Sequence, residues 1–187
     1  MAEKTTQKKG KKRWYHIFPP SVISKNSLGE SSAYDPNSLV GRTISKNLGE
    51  VLGDHKAQNV QITFKINKII ENKATSKVTG YELLSSFLRR SVKPGKSRID
   101  DSFIAKTKDN VQVKLKSLIV TRFKCQKSLQ RALRDSARAY LIKKAASLDY
   151  ERLVNEIVFH KLQFELRDTV KKLYPVNVAE VRVMKRI

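Results

Sequence analysis

The chain has 187 residues, 39 of them Lys or Arg and 17 Asp or Glu, for a formal net charge of +22. A domain with that excess repels itself, and a polyanionic partner is the usual resolution. No run of about 18 apolar residues supports a helical membrane span, residues 1–14 lack the apolar core of a secretory signal, and one cysteine, Cys125, argues against an internal disulfide or a cysteine-based zinc site.

Residues 1–13 hold six cations (Lys4, Lys8, Lys9, Lys11, Lys12, Arg13) and one acid, Glu3. So few apolar residues cannot offset the ordering entropy, and a disordered arm is expected. Trp14, Tyr15, Ile17 and Phe18 follow, before Pro19-Pro20. Trp14 either stacks on RNA bases or pins the arm to the core. The expected organisation is an arm over 1–20 and one domain over 21–187. Short extended pieces are expected near Ser27–Glu30 and Leu39–Ile44, with a turn or short helix over Ser45–Leu52.

Val60, Ile62, Phe64 and Ile66 alternate with Gln61, Thr63, Lys65 and Asn67, the period-two pattern of a half-buried strand. Glu71–Ser76 reads as a turn and Lys77–Leu84 as the returning strand. Ser85–Arg90 reads as a helical turn. The segment with Arg89, Arg90, Lys93, Lys96 and Arg98 contains no acid and is a candidate phosphate-contacting surface. Gly95-Lys96-Ser97 is not a nucleotide-binding loop, because that motif needs Gly where Arg90 stands. A second hairpin is expected, Phe103–Lys108 and Val111–Phe123 about a turn at Asp109-Asn110. Within it Leu118-Ile119-Val120 suits a strand covered on both faces.

From Asn110 to Arg134 there are seven cations and no acid. Arg122–Ala146 reads mostly as one amphipathic helix. At about 100° per residue, Lys127, Arg131, Arg134 and Arg138 share one face. Leu129, Ala132, Leu133, Ser136 and Tyr140 form the expected packing stripe opposite. Asp149 is the expected N-cap of a following helix, a second helix runs through Leu162, Leu166, Val170 and Leu173, and Pro175 follows its end. Between Asp149 and Glu180, six acids face five cations, a balance that suits packing on the sheet or a protein neighbour better than RNA. Residues 176–187 read as a last strand, with Val181 and Val183 in alternation.

Nothing in the sequence assembles a catalytic or metal site. His16, His55 and His160 have no ligand-type spacing, Asp54-His55 and Asp100-Asp101 sit in turn-like settings, and Cys125 adjoins no His or Asn. No enzyme activity, cofactor, metal or small-molecule substrate is expected.

Several segments together resemble the S3Ae family of small-subunit ribosomal proteins of archaea and eukaryotes. They are the basic arm ending in Trp14, Leu39-Val40-Gly41-Arg42, the Phe64–Ile70 strand, Thr79-Gly80-Tyr81-Glu82-Leu83, the Thr107-Lys108-Asp109 turn, the basic Lys124–Arg138 helix, and Leu173-Tyr174-Pro175-Val176 before a basic last strand. The length resembles archaeal members. Asn110 stands where Gly is expected, and Asn also tolerates the left-handed conformation. The resemblance implies an α+β fold: a β-barrel-like or antiparallel sheet core flanked by helices. It also implies a cytoplasmic, non-catalytic component of the small ribosomal subunit on its platform near the messenger RNA exit, touching ribosomal RNA and neighbouring ribosomal proteins. The expected RNA-binding residues are Lys8, Lys9, Lys11, Lys12, Arg13, Trp14, Arg89, Arg90, Lys93, Lys96, Arg98, Lys124, Lys127, Arg131, Arg134 and Arg138. A free RNA chaperone or translation regulator is the alternative on the residues alone.

Overall fold

The structure, a computed structural model, describes residues 11–24 and 26–187, without the side chain of Lys56. The elements are β1 (Arg13–Phe18), β2 (Gly29–Ala33), β3 (Thr43–Asn47), α1 (Leu48–Leu52), β4 (Val60–Ile70), β5 (Lys73–Leu83), α2 (Ser85–Ser91), β6 (Arg98–Lys106), β7 (Gln112–Thr121), α3 (Lys127–Ser147), α4 (Tyr150–Val158), α5 (Lys161–Lys171) and β8 (Val176–Arg186). The fold is α+β, one eight-stranded sheet flanked by five helices. Of the stretch expected as an arm, residues 13–18 are a strand of this sheet, and Lys8 and Lys9 lie outside the described residues.

β4 and β5 form the spine. In β4, Val60, Ile62, Phe64 and Ile66 are buried between more exposed neighbours, as the alternation predicts. The turn is tighter than expected. Ile70 pairs with Lys73, so only Glu71 and Asn72 connect the strands, with Glu71 at φ 55°. Two-residue turns with positive φ match the twist of the flanking strands. Lys73–Ser76 therefore belong to β5, where Ala74 and Ser76 are buried.

One edge of β5 carries β4, which pairs on to β3. Its other edge is divided. β1 lies parallel beside Lys73–Thr75, and β8 antiparallel beside Gly80–Glu82. β2 extends the first branch, while β7 and then β6 extend the second. Among the described residues no pairing joins the outer strands, so the expected barrel-like core is an open sheet. The divided edge sends its two branches outward separately.

The main core gathers both branches with Leu133, Ala137, Leu141 and Ala145 of α3, Leu153, Val154, Ile157 and Val158 of α4, and Leu162, Leu166 and Val170 of α5. A smaller cluster joins Leu88 of α2 to Leu118 and Val120, with Val92 and Val178 alongside. Ile119 belongs to the main core, so β7 is covered on both faces, as its apolar run predicts.

Two local expectations are corrected, and a third, the N-cap at Asp149, holds in position but not in its bond. The buried stripe of α3 is the i, i+4 series from Leu133 to Ala145, while Ala132 is exposed and Leu129 and Tyr140 sit at the margin. The Ala residues in that series permit close approach to neighbouring elements. Asp149 occupies the N-cap position of α4 without a side-chain cap bond, and Asp109 from the β6–β7 turn accepts from the Tyr150 N–H instead, at 3.2 Å. In β8 the register slips: Val181 pairs with Ser117 and Val183 with Lys116. Arg182 is thus the extra residue of a bulge, and Val183 is only half-buried.

Candidate nucleic-acid interface

The basic face of α3 lines an open groove of about 920 Å³. Lys127, Arg131, Arg134 and Arg138 contribute from the helix, meeting Lys114 and Lys116 of β7, Arg182 of β8, and Asp100 and Asp101 of β6. The spacing on α3 repeats every three or four residues, which keeps its cations on one side. Lys114 and Lys116 alternate with buried Val113 and Leu115, so the strand period turns both ammonium groups away from the core. Arg182 reaches the groove at the bulge, a common way for a sheet to redirect a side chain.

Seven cations face three carboxylates in this groove, and each carboxylate is already engaged. Asp101 accepts two hydrogen bonds from Arg138, at 2.8 Å from Nε and 2.6 Å from Nη2, and Arg138 also lies 5.6 Å from the Phe103 ring centre. Asp100 pairs with Arg98 at 2.6 Å, and Asp135 with Arg131 at 3.9 Å. Burial pushes the Asp101 carboxyl up, but the bonds from Arg138 and the Ser102 N–H, with the charges of Arg138 and Arg134, outweigh it. They hold it below the ordinary carboxylate range. The same pair raises Arg138.

Lys114, Lys116, Lys127, Arg134 and Arg182 have no ion pair among the described residues. The Nε atoms of Arg134 and Arg182 are shielded from solvent without a hydrogen-bond partner among the described residues. A partly desolvated cation is costly, and for Arg134 the nearby Asp101 carboxylate, already bonded to Arg138, offsets only part of that cost. The first turn of α3 carries Lys127 and no acid, so side-chain charge adds to the positive end of the helix dipole. An anion with several oxygens in fixed geometry, such as a phosphate backbone, offsets all of these costs together.

The remaining expected residues are distributed elsewhere. Arg90, Lys93 and Lys96 line a separate depression of about 470 Å³ with Asn59 and Asn177, and Arg90 donates to Asn59 Oδ1 at 2.7 Å. Arg89 is exposed on the same helix, α2, and Lys124 is exposed just before α3. Arg98, committed to Asp100, belongs to β6 and not to that depression. Lys11, Lys12, Arg13 and Trp14 stand exposed at β1. Sequence reasoning missed Lys114, Lys116 and Arg182 as site residues. The alternation in β7 carried the signal for the two lysines, whereas Arg182 depends on a bulge with no local signature.

Among the described residues no group of three or more His, Cys, Asp or Glu side chains is placed to hold a metal ion. No described helix is long and apolar enough to cross a membrane.

The profile of the Ribosomal S3Ae family matches residues 1–187. The chain belongs to that family. Its relatives include the small ribosomal subunit protein eS1 of Desulfurococcus amylolyticus, 33% identical over 91% of this chain and 80% of the relative. The eS1 proteins of Saccharolobus islandicus (32% identical, 93% and 84% covered) and Methanothrix thermoacetophila (30% identical, 97% and 86% covered) are comparably similar. S3Ae proteins are structural components in translation and not enzymes, in keeping with the non-catalytic reading of the sequence. All three of these relatives are archaeal.

Proposed function

We propose that this protein is a structural constituent of the small ribosomal subunit that binds ribosomal RNA backbone in the groove between α3 and the β6–β8 sheet. The observation that carries the reading is the groove's set of unpaired cations, above all Arg134 and Arg182, in a chain whose relatives are named small-subunit proteins. Binding is electrostatic: cations displace condensed counterions, affinity falls steeply with salt, and little base sequence is read. The cations of α2 and of residues 11–13 supply further backbone contacts. The near-neutral 149–180 region, where Phe159, Phe164 and Leu173 are exposed, is the surface for a neighbouring ribosomal protein. Within the subunit, the S3Ae resemblance favours the platform near the messenger RNA exit.

Gradient sedimentation at moderate salt tests the assignment. The expected result is co-migration with the small subunit at near-equal stoichiometry. A protein that stays light, or is present well below one copy per subunit, contradicts it.

A further inference from the structure

A second surface carries chemistry that the groove lacks. In the β1–β2 ribbon, Tyr15, Ile17 and Ala33 are buried on one face. The register sets Trp14 opposite Ser32 and His16 opposite Glu30 on the other. Just beyond the two strand ends, Lys12 and Tyr34 meet at the same end of the ribbon as Trp14. Trp14 is 62% exposed and Tyr34 43%, with the Lys12 ammonium 5.3 Å from the Tyr34 ring centre. Ser32 is too small to cover an indole. β2 is an outer edge, so no further strand shields the ribbon among the described residues. His16 Nδ1 lies 3.2 Å from Glu30 Oε1 at the inner end of the face.

We propose that this outer face of β1–β2 is a base-stacking platform for single-stranded RNA, with Trp14 as its main surface and Tyr34 as a second. The inference deepens the RNA-binding reading and rests on it. Duplex RNA keeps its bases stacked on one another and offers no free base face, so an exposed aromatic pair on a sheet selects an unpaired segment. The two exposed rings come from separate strand ends and so offer two separate stacking faces. Lys12 is exposed beside the rings to meet a phosphate, with Lys11 and Arg13 exposed next to it in the chain, while Glu30 disfavours phosphates at the other end. This charge pattern favours a nucleic acid over an apolar protein surface.

Trp14 is the only tryptophan in the chain, so fluorescence excited selectively at tryptophan, beyond the tyrosine absorption band, reports on the platform. The full chain is titrated with a single-stranded oligouridine and with a hairpin duplex of equal length. Affinities for wild type and variants come from anisotropy of the labelled RNAs. The expected result is saturable quenching by the single strand and little by the duplex. Trp14→Ala should weaken single-strand binding roughly 5- to 150-fold, the range of one lost base stack. Trp14→Phe should restore most of it, and duplex affinity should not change. Duplex binding with no quenching by the single strand, or a Trp14→Ala chain that binds the single strand like wild type, overturns the platform while leaving the groove intact. If the unmutated chain binds neither RNA, the RNA-binding reading falls with it.

Discussion

Both α3 and α5 press aliphatic side chains at i, i+4 spacing into one core, Leu133, Ala137, Leu141 and Ala145 from the first and Leu162, Leu166 and Val170 from the second. Outside the core they diverge. α3 carries six cations and one acid, whereas α5 carries three and two. The seam between them shows what cations do when acids are near. Lys144 Nζ sits 2.8 Å from Glu165 and 3.6 Å from Glu156, and Tyr140 donates to Glu165 as well. Those bonds from Lys144 and Tyr140 hold the Glu165 carboxyl down. Burial, and then Glu165, push the Tyr140 hydroxyl up. At the other end of α3, the cations have outnumbered their carboxylates. The two ends teach that charge alone does not mark a binding surface; charge left over after internal pairing does.

The contrast breaks most visibly under charge reversal. Lys114→Glu with Arg134→Glu should lower RNA affinity by at least about 100-fold at moderate salt, as several phosphate contacts are lost or opposed. Lys161→Glu with Lys171→Glu on α5 should change it several-fold at most; filter binding decides. The shared interior predicts equal behaviour in stability. Leu133→Ala and Leu166→Ala should each cost about 2–5 kcal/mol in denaturant unfolding, and a marked inequality would mean that one helix is docked and not embedded. Asp101→Asn removes the brace on Arg138 and should lower the melting temperature only slightly, because the exposed guanidinium is screened by water. It should leave RNA binding equal or tighter, because it frees a groove cation.

The smallest effect is in acid. The Asp101 and Glu165 carboxyls are both held below their ordinary range. Groups of that kind stabilise the fold fully above about pH 5 and lose the contribution as pH falls through the lowered values, below about pH 4. The Asp101→Asn chain should therefore show a shallower loss of melting temperature between pH 5 and 3 than wild type. An identical slope would mean that the pair contributes nothing.

What the sequence made legible was local. Alternation marked β4 and the β6–β7 hairpin, and Asn110 adopts φ 57° as its turn position required. The double-sided run at Leu118-Ile119-Val120 announced two covering layers. The order of strands was not legible. β8 inserts between β5 and β7, and β1 lies parallel to β5, through pairings distant in sequence that no local period records. The α3 stripe was misplaced by a fraction of a turn because alanines mark a face weakly. The helix cations were visible, but their partners were not. Arg138 and Arg98 read as available as Arg134 in the sequence, but Asp101 across the groove engages the first and Asp100, two residues along β6, engages the second. The residues that complete the groove come from strands more than ten positions before the helix and from a bulge near the C-terminus.

The most direct measurement is the salt dependence of affinity for a small-subunit ribosomal RNA fragment. It compares wild type with Arg134→Ala plus Arg182→Ala and with the α5 control Lys161→Ala plus Lys171→Ala. Each lost phosphate contact should lower the slope of log affinity against log salt by about 0.7–0.9. The groove pair should therefore flatten it by about 1.4–1.8, with the control unchanged. A slope unaltered by the groove pair, or altered equally by the control, would contradict the assignment of the α3 groove as the RNA-binding surface.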